Sequence, residues 1–250
     1  MELKSSNPAF GKTFEGSAVH AGYGQTMTIS GTANKAGILM LIVAFSASWV
    51  WNQFFDTRDI SSVSGYMMLG GIGGFIAAMV TIFKKEWSAA TAPAYAVLEG
   101  MFLGGFSAMM ELRFPGIAIE AVALTFGTCF CLLLAYRSGL IRASEKFTMG
   151  IVAATGGIAV VYFASMVLGF FGVQIPGIFG NGPVGIVFSL VVVVIAALNL
   201  ILDFAVIEEG ARMGAPKYME WYSAFGLMVT LVWLYLEMVR LLSKLRDERR

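Results

Sequence analysis

Apolar residues run in long blocks along this chain, separated by short polar or turn-forming segments. Seven blocks stand near 36–55, 65–83, 91–110, 116–136, 149–172, 184–207 and 222–243. Each approaches the ~20 residues that a helix rising ~1.5 Å per residue needs to cross ~30 Å of hydrocarbon. The connections, among them "DTRDISSVS", "KKEWSAA" and "GVQIPGIFGNGP", are too short to hold a soluble domain. The pattern predicts an all-α membrane protein: a seven-helix membrane domain over 36–245, a flexible cytoplasmic amino-terminal tail over 1–35, and a basic carboxy-terminal tail over 246–250. The tail lacks the apolar core of a signal peptide, so no cleavage is expected. No internal repeat stands out, which argues against transporter folds built from inverted halves.

Composition agrees. Hydrophobic residues make up 58% of the 250, charged residues 13%, and the mean hydropathy of +0.76 lies outside the soluble range. Seventeen basic residues against sixteen acidic ones, scattered along the chain, leave no footprint for nucleic acid. The loops after blocks one, three and five hold Arg58, Arg113 and no further cation. The others hold Lys84, Lys85, Arg137, Arg142, Lys146, Arg212 and Lys217. This asymmetry predicts a cytoplasmic amino terminus. Seven crossings would then leave the basic "SKLRDERR" outside. Either the earlier loops outvote that tail or the last block dips in and returns, and seven crossings is the favoured reading.

Small residues predict where helices touch, because in lipid association relies on close packing. Gly70 with Gly74, and Gly100 with Gly104, have the small-xxx-small spacing and are expected to pack inside the bundle. Cys129 and Cys131 point away from each other on a helix, which excludes a mutual disulfide or a shared metal. His20, the one histidine, stands in the tail and builds no site alone.

Charges inside the blocks need an account, since a charged group at the bilayer centre costs about 2.5–3.5 kcal/mol on insertion scales. Glu120 follows the turn "RFPGIAIE" and reads as a solvated helix end. Glu99, deeper and beside Gly100, either lines a cavity or bonds a neighbouring helix. Asp203 in "LNLILDFAVIEEG" and Glu237 in "LVWLYLEMVRLL" form the sharper case. Asn199 precedes Asp203 by one helical turn, and Arg240 follows Glu237 by nearly one, so each of the last two blocks carries a polar stripe. Two such stripes are best buried against each other. Carboxyls brought close could not both ionise easily and would share one proton, making a proton-sensitive switch. Deprotonated, the same oxygens at Asp203 and Glu237 would suit Ca²⁺. The structural alternative is a buried hydrogen bond with Arg240 neutralising Glu237. Spacing alone leaves both open.

Enzymatic chemistry is not expected. Neither "LILDF" nor "LYLEM" supplies the Gly-x-Gly-Asp context of an intramembrane aspartyl protease, no lysine lies deep in a block for a Schiff base, and a single tail histidine supports no Ser-His or Cys-His arrangement. No cofactor is expected apart from Ca²⁺.

The segments "VLEGMFLGG" (97–105), "IEAVALTFGTCF" (119–130), "FSLVVVVIAALNLILDF" (188–204) and "GAPKYMEWYSAFGLMVTLVWLYLEMVRLLSKL" (214–245) together resemble the Bax inhibitor-1 family, in its bacterial YccA-like branch, over roughly residues 35 to 245. The resemblance implies seven helices with the last one central, in a bacterial inner membrane, and an acidic pair from the last two spans that gates a pH-sensitive Ca²⁺ leak. By motif that pair falls on Asp203, at the family's Leu-Tyr-Asp, and on Glu237, at its Leu-Tyr-Leu-Asp. Glu237 replaces the usual aspartate, Arg240 stands where relatives often carry asparagine, and the connection between the two spans is longer. The resemblance also implies a second function, a regulator embedded in the lipid bilayer that binds a membrane protease or other membrane partner.

Overall fold

A computed structural model describes residues 26–172 and 180–248. Most of the expected tail 1–35, His20 with it, lies outside the described residues, as does most of "GVQIPGIFGNGP" and the end of the basic tail. Among the described residues there are seven α-helices: α1 (Ile29–Thr57), α2 (Ser61–Phe83), α3 (Ser88–Arg113), α4 (Ile117–Arg137), α5 (Glu145–Phe170), α6 (Pro183–Arg212) and α7 (Met219–Glu248). A 3₁₀ turn, Lys85–Trp87, joins α2 to α3. Every expected apolar block is helical.

Six of the seven, all but α3, are long and apolar enough to cross a membrane. The expected span at 91–110 is a helix with fewer apolar residues than its neighbours, for a reason that packing supplies. Gly100 and Gly104 of α3 face α1, where an added Cβ at Gly100 would lie 2.6 Å from the Val43 carbonyl and one at Gly104 would strike the Ala47 backbone. Gly70 of α2 presses on Leu98 and Phe102 of α3, its virtual Cβ 2.5 Å from the Leu98 carbonyl, and Gly74 meets Glu99. Both small-residue motifs therefore pack within the bundle as expected. With α1 and α2 so close, α3 needs small side chains more than greasy ones.

The helix ends differ from the expected ones where polar residues find tertiary partners. α1 begins at Ile29 because Thr28, in extended conformation, accepts a hydrogen bond from Gly31 N at 3.0 Å. α7 is one uninterrupted helix. Gly214, with φ of 68°, makes the left-handed turn between α6 and α7 that a side chain would strain.

The described chain forms two compact units. One comprises 119–172, 180–205 and 230–248; the other comprises 26–118 and 206–229. Burial within the apolar helices is uneven. In α7 the most apolar stretch is 61% buried and in α6 50%, against 6–22% for α1, α2, α4 and α5. The last two helices thus face protein, and Leu41, Phe45, Met68, Phe75, Phe130 and Phe163 on the others are exposed as lipid-facing residues would be.

Candidate functional site: a buried polar column

Polar residues buried in the first unit stand at successive depths along α5, α6 and α7. Nearest the end where α7 finishes, Lys244 is buried and its Nζ donates to the Gly185 carbonyl, 2.9 Å away, at the start of α6. Asn181 donates to Asp247 at 2.7 Å, and Arg246 pairs with Glu120 at 2.8 Å. Glu120 is half exposed, the solvated helix end that its position predicted, and it also fastens the end of α7 to the start of α4.

Two turns inward sits Glu237, 1% exposed. Arg240 Nη1 donates to both of its carboxylate oxygens, at 2.7 and 2.9 Å, and Tyr162 Oη donates to Oε1 at 3.0 Å. The same nitrogen donates to Tyr162 Oη at 2.5 Å, and the guanidinium lies 5.0 Å from the Tyr162 ring centroid. The aromatic face adds a cation–π contribution to the ion pair. Tyr162 is itself held edge-on against Phe188 of α6. Glu237 is thereby neutralised and oriented from α5 and α7 together.

Further in, Asn199 is buried and donates to Thr155 Oγ1 at 2.9 Å and to the Ile195 carbonyl at 2.8 Å. Asp203, one turn deeper on the same face of α6, is fully buried, and the thiol of Cys129 on α4 lies within reach of its charge. Its neighbour Phe204 packs on Tyr136, ring centroids 5.9 Å apart.

The expected carboxyl pair does not form. Lys244 is level with Gly185, Glu237 stands seven residues before the one and Asp203 eighteen after the other. Eleven residues of helix separate their depths, or roughly 16 Å. Side-chain reach does not close that gap. Helical spacing correctly placed Asp203 with Asn199 and Glu237 with Arg240, and the neutralisation by Arg240 follows the structural alternative. The two acids occupy separate layers of one column. Glu99 belongs to the other unit, where Tyr95 hydrogen-bonds it from one turn earlier on α3.

Tyr162 and Thr155 were missed by sequence reasoning. They stand two turns apart on α5 and form a polar stripe that the apolar run of that block conceals. Among the described residues no three His, Cys, Asp or Glu side chains gather around a common point. Ca²⁺ takes six to eight oxygens, so these side chains alone would not complete its shell at Asp203 or Glu237.

A protein-family model described as Bax inhibitor 1 like matches residues 7–247. Among curated proteins and solved structures, none matches the chain.

Proposed function

The chain belongs to the Bax inhibitor 1 like family, and on that premise we propose that it is a pH-sensitive cation leak whose expected cargo is Ca²⁺. The observation that carries the reading is the buried polar column. Lys244, Glu237 with Arg240 and Tyr162, Asn199 with Thr155, and Asp203 follow one another through helices that are otherwise lipid-like. Polar groups at that depth are costly and line ion or proton paths more readily than they serve packing.

Asp203 is the group that exchanges a proton with the cytoplasmic side: protonated it closes the column's inner layer, ionised it attracts a cation. Glu237, bound to Arg240 and Tyr162, is a second layer whose fixed arginine slows cations. The acids act in series rather than as one shared pair.

The chain crosses the membrane seven times with the amino terminus in the cytoplasm of a bacterial cell. In one unit the start of α7 meets the start of α1, and in the other the end of α7 meets the starts of α4 and α6. Alternating crossings give the same result, with α3 included among the spans. Its heavy burial supports α7 as the enclosed, central helix.

The test is Ca²⁺ release from liposomes reconstituted with the full chain. Wild type should release Ca²⁺ at a rate that changes between pH 5 and pH 8 (about one unit or more either side of neutrality), and Asp203→Asn should flatten that dependence. Equal release by both at every pH sinks the proposal.

One observation favours a second reading. Because Arg240 neutralises Glu237, the column also suits a structural role in a membrane-embedded regulator of the YccA-like branch, one that binds a membrane protease or another membrane partner. Crosslinking in native membranes that recovers no stoichiometric partner would count against it.

A further inference from the structure

Glu220, in the first turn of α7, is fully buried in the unit formed by 26–118 and 206–229. Its carboxylate accepts from Thr28 N at 2.9 Å, from Thr28 Oγ1 at 2.8 Å, from Lys217 Nζ at 2.8 Å and from Lys35 Nζ. A carboxylate offers about four acceptor positions; here Oε1 takes three donors and Oε2 one. Three of the four donors come from the first residues of the described chain.

The backbone beside it is joined too. Met27 N donates to the Ala215 carbonyl at 2.7 Å, Thr26 pairs with Pro216 in an antiparallel bridge, and Lys35 lies 5.5 Å from the Trp221 ring centroid. Gly31 leaves just enough room, since a methyl there would collide with the Glu220 carboxylate. Segment 26–35 is therefore a strap strung across the α6–α7 connection, and its side-chain hydrogen bonds to α7 from Thr28 and Lys35 converge on one acid.

We infer that Glu220 is a latch: it holds the amino-terminal strap against the start of α7 and sets how readily that end of the helix opens. When the carboxylate leaves, the ammonium of Lys35 and the hydroxyl and amide of Thr28 lose the charged acceptor they share. The strap then rests on the Met27–Ala215 bond, the bridge, and the weaker contacts of Met27 Sδ with Ser223 and of Lys35 with Trp221. Opening by such a latch is local, as the uneven stability of folded chains allows.

Hydrogen–deuterium exchange of the full chain in nanodiscs tests this. Glu220→Gln should speed exchange in 26–32 and 213–223 by about tenfold or more, with α4 and α5 unchanged. Gly31→Ala, which displaces the carboxylate without altering any charge, should do the same, and Lys35→Met should fall between. Arg212→Gln, which removes an exposed cation paired with Glu209 on its own helix, should have no effect. The latch is refuted if Glu220→Gln and Gly31→Ala both leave 26–32 within about twofold of wild type. It is equally refuted if exchange rises evenly through α4 and α5, which marks general loosening. Should Glu220→Gln fail to insert, Gly31→Ala and Lys35→Met decide by the same criteria.

Discussion

Replacing Arg240 by Met isolates what holds Glu237 inside the bundle. The change keeps most of the side-chain volume and removes the cation that binds both carboxylate oxygens. Removing one partner of a buried ion pair costs about 3–5 kcal/mol, whereas an exposed pair is worth about 0–1 kcal/mol. The Arg240 side chain keeps 40% of its exposure and that of Glu237 only 2%. Loss of the arginine therefore strands an almost fully buried acid, with the Tyr162 hydroxyl as its remaining donor, while the arginine itself was already partly solvated. Interpolating, Arg240→Met should cost about 2–3 kcal/mol, a shift of roughly 30- to 150-fold in the unfolding equilibrium. Glu237→Gln combined with Arg240→Met should recover a large part, because a neutral amide still accepts from Tyr162 and strands no charge. The assay is reversible unfolding in mixed micelles, run as a double-mutant cycle. If Arg240→Met stays within about 0.5 kcal/mol of wild type, or the two substitutions simply add, the ion pair is not what stabilises Glu237.

Packing and titration give two more predictions. Gly104→Val should lower the thermal midpoint by overfilling the α1–α3 contact, at about 1–3 kcal/mol, while Gly127→Val, where nothing lies within 4 Å, should leave it unchanged. Equal midpoints would refute the close approach of α1 and α3. Burial holds the Lys85 ammonium, which lies 5.5 Å from the Tyr222 ring centroid, below its usual pKa of 10.5. Between the lowered folded value and the unfolded one, the unfolded chain binds more protons, so stability rises with pH. Wild type should accordingly gain stability relative to Lys85→Met as pH climbs toward 10.5, measured as a difference of unfolding free energies. A flat difference would contradict it.

The helices were legible because bilayer-length apolar blocks are a one-dimensional signal. So were the small-residue contacts, since Gly70, Gly74, Gly100 and Gly104 repeat at helical spacing. The start of α1 was not. "ISGTANK" reads as a polar tail until Glu220, 185 residues beyond Lys35, supplies its partner. Glu220 itself passes unnoticed, because an acid in the first turn of a helix is ordinary by dipole arguments. At the candidate site, periodicity gave the faces correctly: Asn199 does lie one turn from Asp203, and Arg240 does reach Glu237. Depth was legible only in part: Asp203 stands near the end of its apolar block and Glu237 well inside the next, but the register between them was missing. It depends on where each helix begins and on how α6 and α7 slide past one another, and the Lys244–Gly185 bond records that register.

The most direct measurement of the central claim is Ca²⁺ flux against pH from one set of liposome preparations carrying wild type, Asp203→Asn or Glu237→Gln. If the two acids act in series within one column, each substitution changes the pH profile, and Asp203→Asn removes the dependence that Glu237→Gln only shifts in amplitude. Three superimposable profiles would contradict the account and leave the buried polar layers with a purely structural role.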